Sequence, residues 1–365
     1  MKKLGLAILA AATLIASCTK MDVAYEQENE IGFAPASKKV TKAAMEGTMP
    51  TTQNLSIWAY WNGVDGSVEN AATYANYTDQ YLDNAEFESR TGTSWGGANN
   101  TQYPWPTNGA LVFAGYNRPK GTTTTTGEVE NQTTTYTPAT LDASYDFENN
   151  TMTFTGYTQS NDIANTFDLC WFGRTDGSYN NRVSGNAVQV TLNHALTWIT
   201  IQIKGDESVV NNWKVTSMTL QDVYTTATGV CSTSTTDGVT TNTAAWSTYS
   251  NKANYVIGES TQEIYTNEKA YESTKDGIVV IPQEPANLYV TYEYTVAGST
   301  KTGYATIPLT LTNTKDENDA ANTTITKWAS GKHYTYTLVF KANEILVAPS
   351  YGTWGTSIDN TITVE

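Results

Sequence analysis

Few residues of this chain are of types that do chemistry, and their spacing removes most of the chemistry they could do. Three cysteines and two histidines serve 365 residues. No cysteine pair has metal-ligand spacing, and there is no phosphate loop or dinucleotide fingerprint. His194 lies in Leu192-Asn-His-Ala-Leu-Thr-Trp-Ile199. A general base is one reading of it, but at the entrance to a strand it reads rather as an orienting side chain. His333 is far away in sequence. Asp316-Glu-Asn-Asp319 lacks the ligand periodicity of a calcium loop and reads as a solvated acidic loop. The expectation is therefore no catalytic residue, no metal site and no cofactor.

One cysteine has a context that makes it reactive. Met1-Lys2-Lys3 and the apolar run Leu4 to Ile15 precede Ile15-Ala16-Ser17-Cys18. A basic start, a short apolar run and small residues predict a signal peptide over 1–17, since a membrane span needs about 20 apolar residues. Cysteine directly after the small residues reads as a lipobox, with Cys18 diacylated on sulfur and serving as the mature N-terminus. The acyl chains would then anchor an exported protein to a membrane. The chain carries 21 basic and 36 acidic residues. Losing Lys2 and Lys3 leaves 19 against 36, a net charge of −17. That field repels nucleic acid and anionic headgroups, so neither is an expected partner. Within this acidic chain Ser37-Lys38-Lys39-Val40-Thr41-Lys42-Ala43 is the only local concentration of lysine.

The elements that position these residues are read as strands. A mature length of about 348 residues (365 minus 17) predicts two domains. Abundant Thr, Tyr and Trp, with long amphipathic helical patterns nearly absent, predict an all-β chain. Leu55, Ile57, Ala59 and Trp61 alternate on one face of a strand, and Ala110 to Tyr116 is a continuous apolar run covered on both faces. Met152–Thr155 and Asp168–Phe172 follow. Asn76–Ser89 is the best helix candidate, and Gly121–Pro138, with its five consecutive threonines, reads as a solvated loop. The turn-rich stretch Gly173–Asn186 places a boundary between an N-terminal β-sandwich at 31–180, behind a lipidated tether at 18–30, and a second sandwich at 187–342. Its strands are Ala187–Leu192, Trp198–Lys204, Val215–Val223, Gly277–Ile281, Leu288–Val296, Thr302–Leu311 and His333–Phe340. Short β-runs between Gly- and Asn-rich turns predict antiparallel sandwiches. Cys170 and Cys231 fall in different domains, and Cys170 sits in an apolar run, so buried free thiols are expected rather than a bridge.

Several segments taken in order resemble the fimbrillin family, the lipoprotein-derived type V pilins of Gram-negative gut and oral bacteria. They are Ile31-Gly-Phe33 followed by Thr41-Lys42-Ala43; Tyr103-Pro-Trp-Pro106; Leu192-Asn-His-Ala-Leu196 leading into Ile199-Thr-Ile-Gln-Ile203; Val280-Ile-Pro-Gln283; and Trp328-Ala-Ser-Gly-Lys-His-Tyr-Thr-Tyr336. The resemblance implies two tandem transthyretin-like β-sandwich domains, lipoprotein export to the outer membrane, and assembly with other copies into a head-to-tail polymer. It also implies a trypsin-like protease that removes the first strand after a basic residue. In this chain the cut would fall between Lys42 and Ala43, with Lys38 and Lys39 as alternatives; the family's usual residue there is arginine.

The residues make physical sense of such a scheme. A sandwich lacking one strand exposes an apolar groove and unpaired backbone groups, which its own chain or a neighbour must fill. Ile31 and Phe33, ahead of the basic segment, suit a temporary filler. The tail 343–365 suits a donor, with Ile345 and Val347 on one face of one strand and Ile358, Ile362 and Val364 on one face of another. The alternative for this tail is that it completes its own domain. The function expected is a surface-anchored fimbrial subunit supporting adhesion or biofilm formation, toward a host or bacterial receptor that sequence does not identify. The alternative is a non-polymerising surface lipoprotein that stacks glycans on exposed aromatics such as those of Tyr103-Pro-Trp-Pro106.

Overall fold

The computed structural model describes residues 25–37, 47–62, 77–90, 94–120, 122–126, 133–137, 141–177, 186–210, 212–237, 239–258, 261–271, 277–310, 325–342 and 344–353. Among these there is no α-helix, and strands dominate. In Gln53–Trp61 the alternation works as read: Leu55, Ile57, Ala59 and Trp61 enter the first core, while Trp58 enters another on the opposite face. Leu111–Pro119 runs antiparallel beside it, from Gln53↔Pro119 to Trp61↔Leu111, and is buried on both faces up to Arg118.

The first sheet closes on itself. Its ladder runs from Val188–Thr191 through Phe33–Ser37, Trp95–Gly97, Asp79–Ser89, Gln53–Trp61, Leu111–Pro119 and Cys170–Gly177 to Asn193–His194. The two ends of that order are successive pieces of one segment, with only Leu192 between them. The result is a flattened barrel around Phe33, Phe87, Trp95, Phe113 and Phe172, and closure removes the open edges. Its outer face, with Trp58, Tyr116 and Trp171, packs on Met152, Phe154, Cys231 and Trp246 of the neighbouring sheet.

A single long strand, Trp213–Thr236, backs both halves of the molecule. Val239–Gly258 folds back along it as a hairpin. On its other edge the partner changes: residues from Trp213 to Gln221 pair with Asn287–Val296, and those from Thr226 to Ser232 pair with Thr151–Thr158. Between the two partners the buried Gln283 takes over the ladder. Its Oε1 accepts the Tyr224 N–H at 2.8 Å, and its Nε2 donates to the Tyr224 and Ile281 carbonyls, each at 3.0 Å. This is the glutamine of the Val280-Ile-Pro-Gln283 motif.

In the second sandwich, the first part of that long strand packs on a sheet centred on Thr197–Gly205 and Lys332–Lys341. These two strands are parallel, from Trp198↔His333 to Gly205↔Phe340. Stacked on the Trp198 indole at 3.8 Å and 11°, the His333 ring places its Nε2 3.0 Å from Thr200 Oγ1. Gly277, at φ 77°, lies against the same indole, where a Cβ would collide with it.

The all-β, two-sandwich expectation holds, with several corrections. Asp79–Ser89 is a strand, not a helix. Register shifts against Gln53–Trp61 and a positive φ of 49° at Asn84 bring Leu82 and Phe87 into one core although their spacing breaks a period of two. Inside the expected loop 121–138, Thr122–Thr126 pairs with Thr133–Thr137 as a hairpin, since threonine's β-branch favours extended backbone. Tyr25–Glu30, expected within the tether, pairs with Pro104–Pro106. Val188–Thr191, assigned to the second domain, belongs to the first sheet, and it runs parallel to Phe33–Ser37 where only antiparallel pairing was expected. Both Cys170 and Cys231 are free and buried.

Two outcomes are expected from this fold. Gln283→Ala leaves the Tyr224 N–H and C=O without their buried partner, which should destabilise the protein by about 1–3 kcal/mol and lower its melting temperature. An unchanged thermal melt would show that the switch of ladder partners needs no such tie. Burial lowers the His333 pKa from 6.5 to about 4. The unfolded chain thus takes up a proton below pH 6.5 that the folded chain refuses until about pH 4. This contribution to stability is intact above pH 6.5 and is lost as pH falls toward 4. Urea titrations at pH 7.5 and 4.5 should show a loss roughly 2 kcal/mol larger in the wild type than in His333→Phe.

Candidate functional site

The first strand of the barrel, Phe33–Ser37 with Ile31 just ahead of it, is the piece on which closure depends. Ile31 and Phe33 are fully buried, and the Phe33 ring meets those of Phe87 and Phe113 edge-on, with centroids at 4.9 and 5.1 Å. On one side Phe33–Ser37 pairs in parallel with the closing segment, from Val188↔Phe33 to Thr191↔Ala36. Just before it, Val188 N–H donates to the Gly32 carbonyl and Ile31 N–H to the Tyr103 carbonyl, each at 2.7 Å. Its antiparallel contacts are short: Phe33↔Trp95, Ala36↔Thr48 and Ser37↔Gly47. Lys38, Lys39, Lys42 and Ala43 lie outside the described residues, in the connection between the paired Ser37 and Gly47. Cys18 lies outside them as well.

The tail begins as a strand of its own domain. Glu344–Thr353 pairs antiparallel with Lys332–Lys341, from Lys341↔Glu344 to Lys332↔Thr353, at the edge of the second sandwich. Ile345 and Val347 are half-buried against that domain's core. Ile358, Ile362 and Val364 lie outside the described residues.

His194 sits in a polar knot inside the closing segment. Its Nδ1 is 3.3 Å from Cys170 Sγ and 3.0 Å from Asp168 Oδ2. The three ligand atoms lie within 4.8 Å of one another. A nucleophile relay needs thiol and carboxylate on opposite ring nitrogens, whereas here one nitrogen faces both. Burial, and then the Asp168 carboxylate, push the Cys170 thiol well above its ordinary pKa. A metal takes the thiolate, so an ion would first have to displace that proton. The knot pins Asn193–His194 to Cys170–Trp171, which agrees with the orienting role read for His194. Sequence gave no sign of Asp168 as its partner, because only the closure of the barrel brings them together. Asn117 supports the same place, accepting from Cys170 N–H at 2.6 Å and donating to the Asp168 carbonyl at 2.7 Å.

Most aromatic rings are packing residues. Trp105 is buried edge-on against Phe113, so it offers no stacking face to a sugar. Of the nine described tryptophans all but Trp213 are buried, and Trp213 stacks on Tyr292 at 5.0 Å.

A closed first sheet and a second sandwich, both backed by one long strand, define an all-β sandwich protein. The sequence profile of the fimbrillin-like family matches residues 41–354, and the chain belongs to that family. Membership places it among pilus-type subunits, which act at the cell surface and associate with one another. No curated protein sequence matches the chain significantly. Among solved structures, a fimbrial protein from Bacteroides vulgatus is 16% identical, with a TM-score of 0.43 over 88% of this chain and 99% of that one. A candidate cell adhesion protein from Bacteroides ovatus gives 15% and 0.45 over 92% and 100%. The tip fimbrial protein Mfa3 of Porphyromonas gingivalis, with C-terminal truncation, gives 9% and 0.34 over 89% and 99%. No described helix is long and apolar enough to cross a membrane.

Phe33→Ala should destabilise the uncleaved chain by about 3–5 kcal/mol, the cost of emptying an aromatic site in a packed core. Urea unfolding measures it, and a loss below about 1 kcal/mol would mean that Phe33 is not what holds the first strand.

Proposed function

We propose that this protein is a fimbrial subunit exported as a lipoprotein on Cys18 and assembled by strand exchange after proteolysis, in support of adhesion or biofilm formation. A trypsin-like protease cuts between Lys42 and Ala43, with Lys38 and Lys39 as alternatives. The strand carrying Ile31 and Phe33 then leaves, and a C-terminal tail from the next subunit takes its place. Candidate donor residues are Ile345, Val347, Ile358, Ile362 and Val364.

The observation that carries this reading is the place of the first strand. It closes a barrel, yet its chain connection to the rest of that barrel runs through the lysine-bearing residues 38–46. Ile31 and Phe33 each contribute roughly 1.5–3 kcal/mol of gross apolar burial. Parallel pairing is slightly weaker per residue than antiparallel, so Phe33–Ser37 is held by its side chains more than by its ladder. Once cut, the strand no longer benefits from being tethered, and its departure leaves two walls, Val188–Thr191 and Trp95–Gly97, without a partner between them. A strand from a second copy restores those bonds and the burial.

N-terminal sequencing of subunits from assembled surface material tests this. Chains beginning at Ala43 are expected, and the Lys38→Gln/Lys39→Gln/Lys42→Gln variant should reach the surface but stay unassembled. Fibres built of chains that still carry Ile31 and Phe33 would overturn it.

A further inference from the structure

The tail contains a copy of the strand it would replace. The first strand reads Ile31-Gly-Phe33-Ala34-Pro35-Ala36, and the C-terminal strand reads Ile345-Leu-Val347-Ala348-Pro349-Ser350. Isoleucine, alanine and proline recur at the same steps, an apolar residue stands in the place of Phe33, and a small residue closes each. Ile31, Phe33 and Pro35 alternate into the first core and are buried there. The groove therefore asks for apolar residues at these three steps. It also accepts a residue without an N–H at the third, since Pro35 falls between the antiparallel pairings at Phe33↔Trp95 and Ala36↔Thr48. Proline inside a strand is tolerated at few positions, so its recurrence at the same step marks a register.

The segment is also placed to leave. Glu344–Thr353 is an edge strand with one ladder neighbour, and Ile345 and Val347 are only half-buried. A strand held on one side loses fewer bonds on release than a central one.

We infer that Ile345–Ser350 of one copy enters the barrel of the next in the register of Ile31–Ala36, parallel to Val188–Thr191, with Val347 in the Phe33 pocket between Phe87 and Phe113. Ile358, Ile362 and Val364 lie beyond this register and do not fill that groove. This inference rests on the strand-exchange reading, and it fixes the donor, its direction and its register.

In the intact chain Ala34 stands opposite Gln189. In the assembled pair Ala348 of the donor then stands opposite Gln189 of the acceptor. Neighbouring strands lie about 4.8 Å apart, within the roughly 4.4–6.8 Å between Cα atoms that a disulfide spans. Gln189 is exposed, and Cys170 and Cys231 are buried and do not compete. The full chain carrying Gln189→Cys and Ala348→Cys, processed, assembled and then oxidised, should give a ladder of covalent multimers that collapses on reduction. Gln189→Cys with Asn360→Cys should give none. A ladder from the Asn360 pair but not the Ala348 pair would overturn the assigned donor while leaving strand exchange standing. Assembled fibres with no ladder from either pair would overturn donation into this groove in this register. If neither processed variant nor processed wild type assembles at all, the strand-exchange reading fails, and this inference falls with it.

Discussion

Everything in the first domain depends on a closed ladder whose last gap is filled by Ile31–Ser37. A sheet left open at that place would present the backbone of Val188–Thr191 on one side and Trp95 on the other, above a pocket shaped by Phe87 and Phe113. Unpaired strand edges beside an apolar slot are costly in water, and any strand of suitable pattern relieves that cost. The first strand is thus both the closure of the subunit and the description of what could substitute for it. Its parallel pairing follows from the same constraint, because the closing segment 188–194 must pass from one end of the ladder to the other before the chain continues into the second domain.

The long strand Trp213–Thr236 solves a different problem, the joining of two sandwiches along one continuous element. Its first part backs the second core and its last part backs the interface with the barrel. Changing ladder partners along one strand would ordinarily strand buried backbone groups at the changeover. Gln283 supplies both a donor and an acceptor at that place, which an aliphatic residue could not. The closing segment reinforces the same junction from the other side. Ala195 N–H donates to the Leu169 carbonyl, the Trp246 indole to the Ala195 carbonyl, and Gly331 N–H to the Leu196 carbonyl, each at 2.8 Å.

Much of this was legible in the chain. Strands such as Gln53–Trp61 and Leu111–Pro119 follow from alternation or from a continuous apolar run, because side chains in a strand point to opposite faces in turn. Asp79–Ser89 was not legible, since bulges break the period that identifies a strand and leave Leu82 and Phe87 at a spacing foreign to it. The latter part of Trp213–Thr236 and the hairpin Val239–Gly258 were missed for a related reason. Their residues are Thr-, Ser- and Asn-rich, and many remain exposed along a hairpin that packs on one face, so the apolar signal is thin.

By itself the sequence determined the all-β class, the free buried state of Cys170 and Cys231, the lysine cluster and the apolar pattern of Ile31 and Phe33. Each is a property of residue type and local spacing. Only the tertiary structure decided that Val188–Thr191 belongs with Phe33–Ser37, that Asp168 partners His194, and that Glu344–Thr353 rests on its own domain's edge. These are pairings between segments remote in the chain. A strand's pattern says which face it buries but carries no address for its neighbour. That choice is made by the closure of the sheets, which leaves each segment one place where backbone bonds and buried side chains are satisfied together.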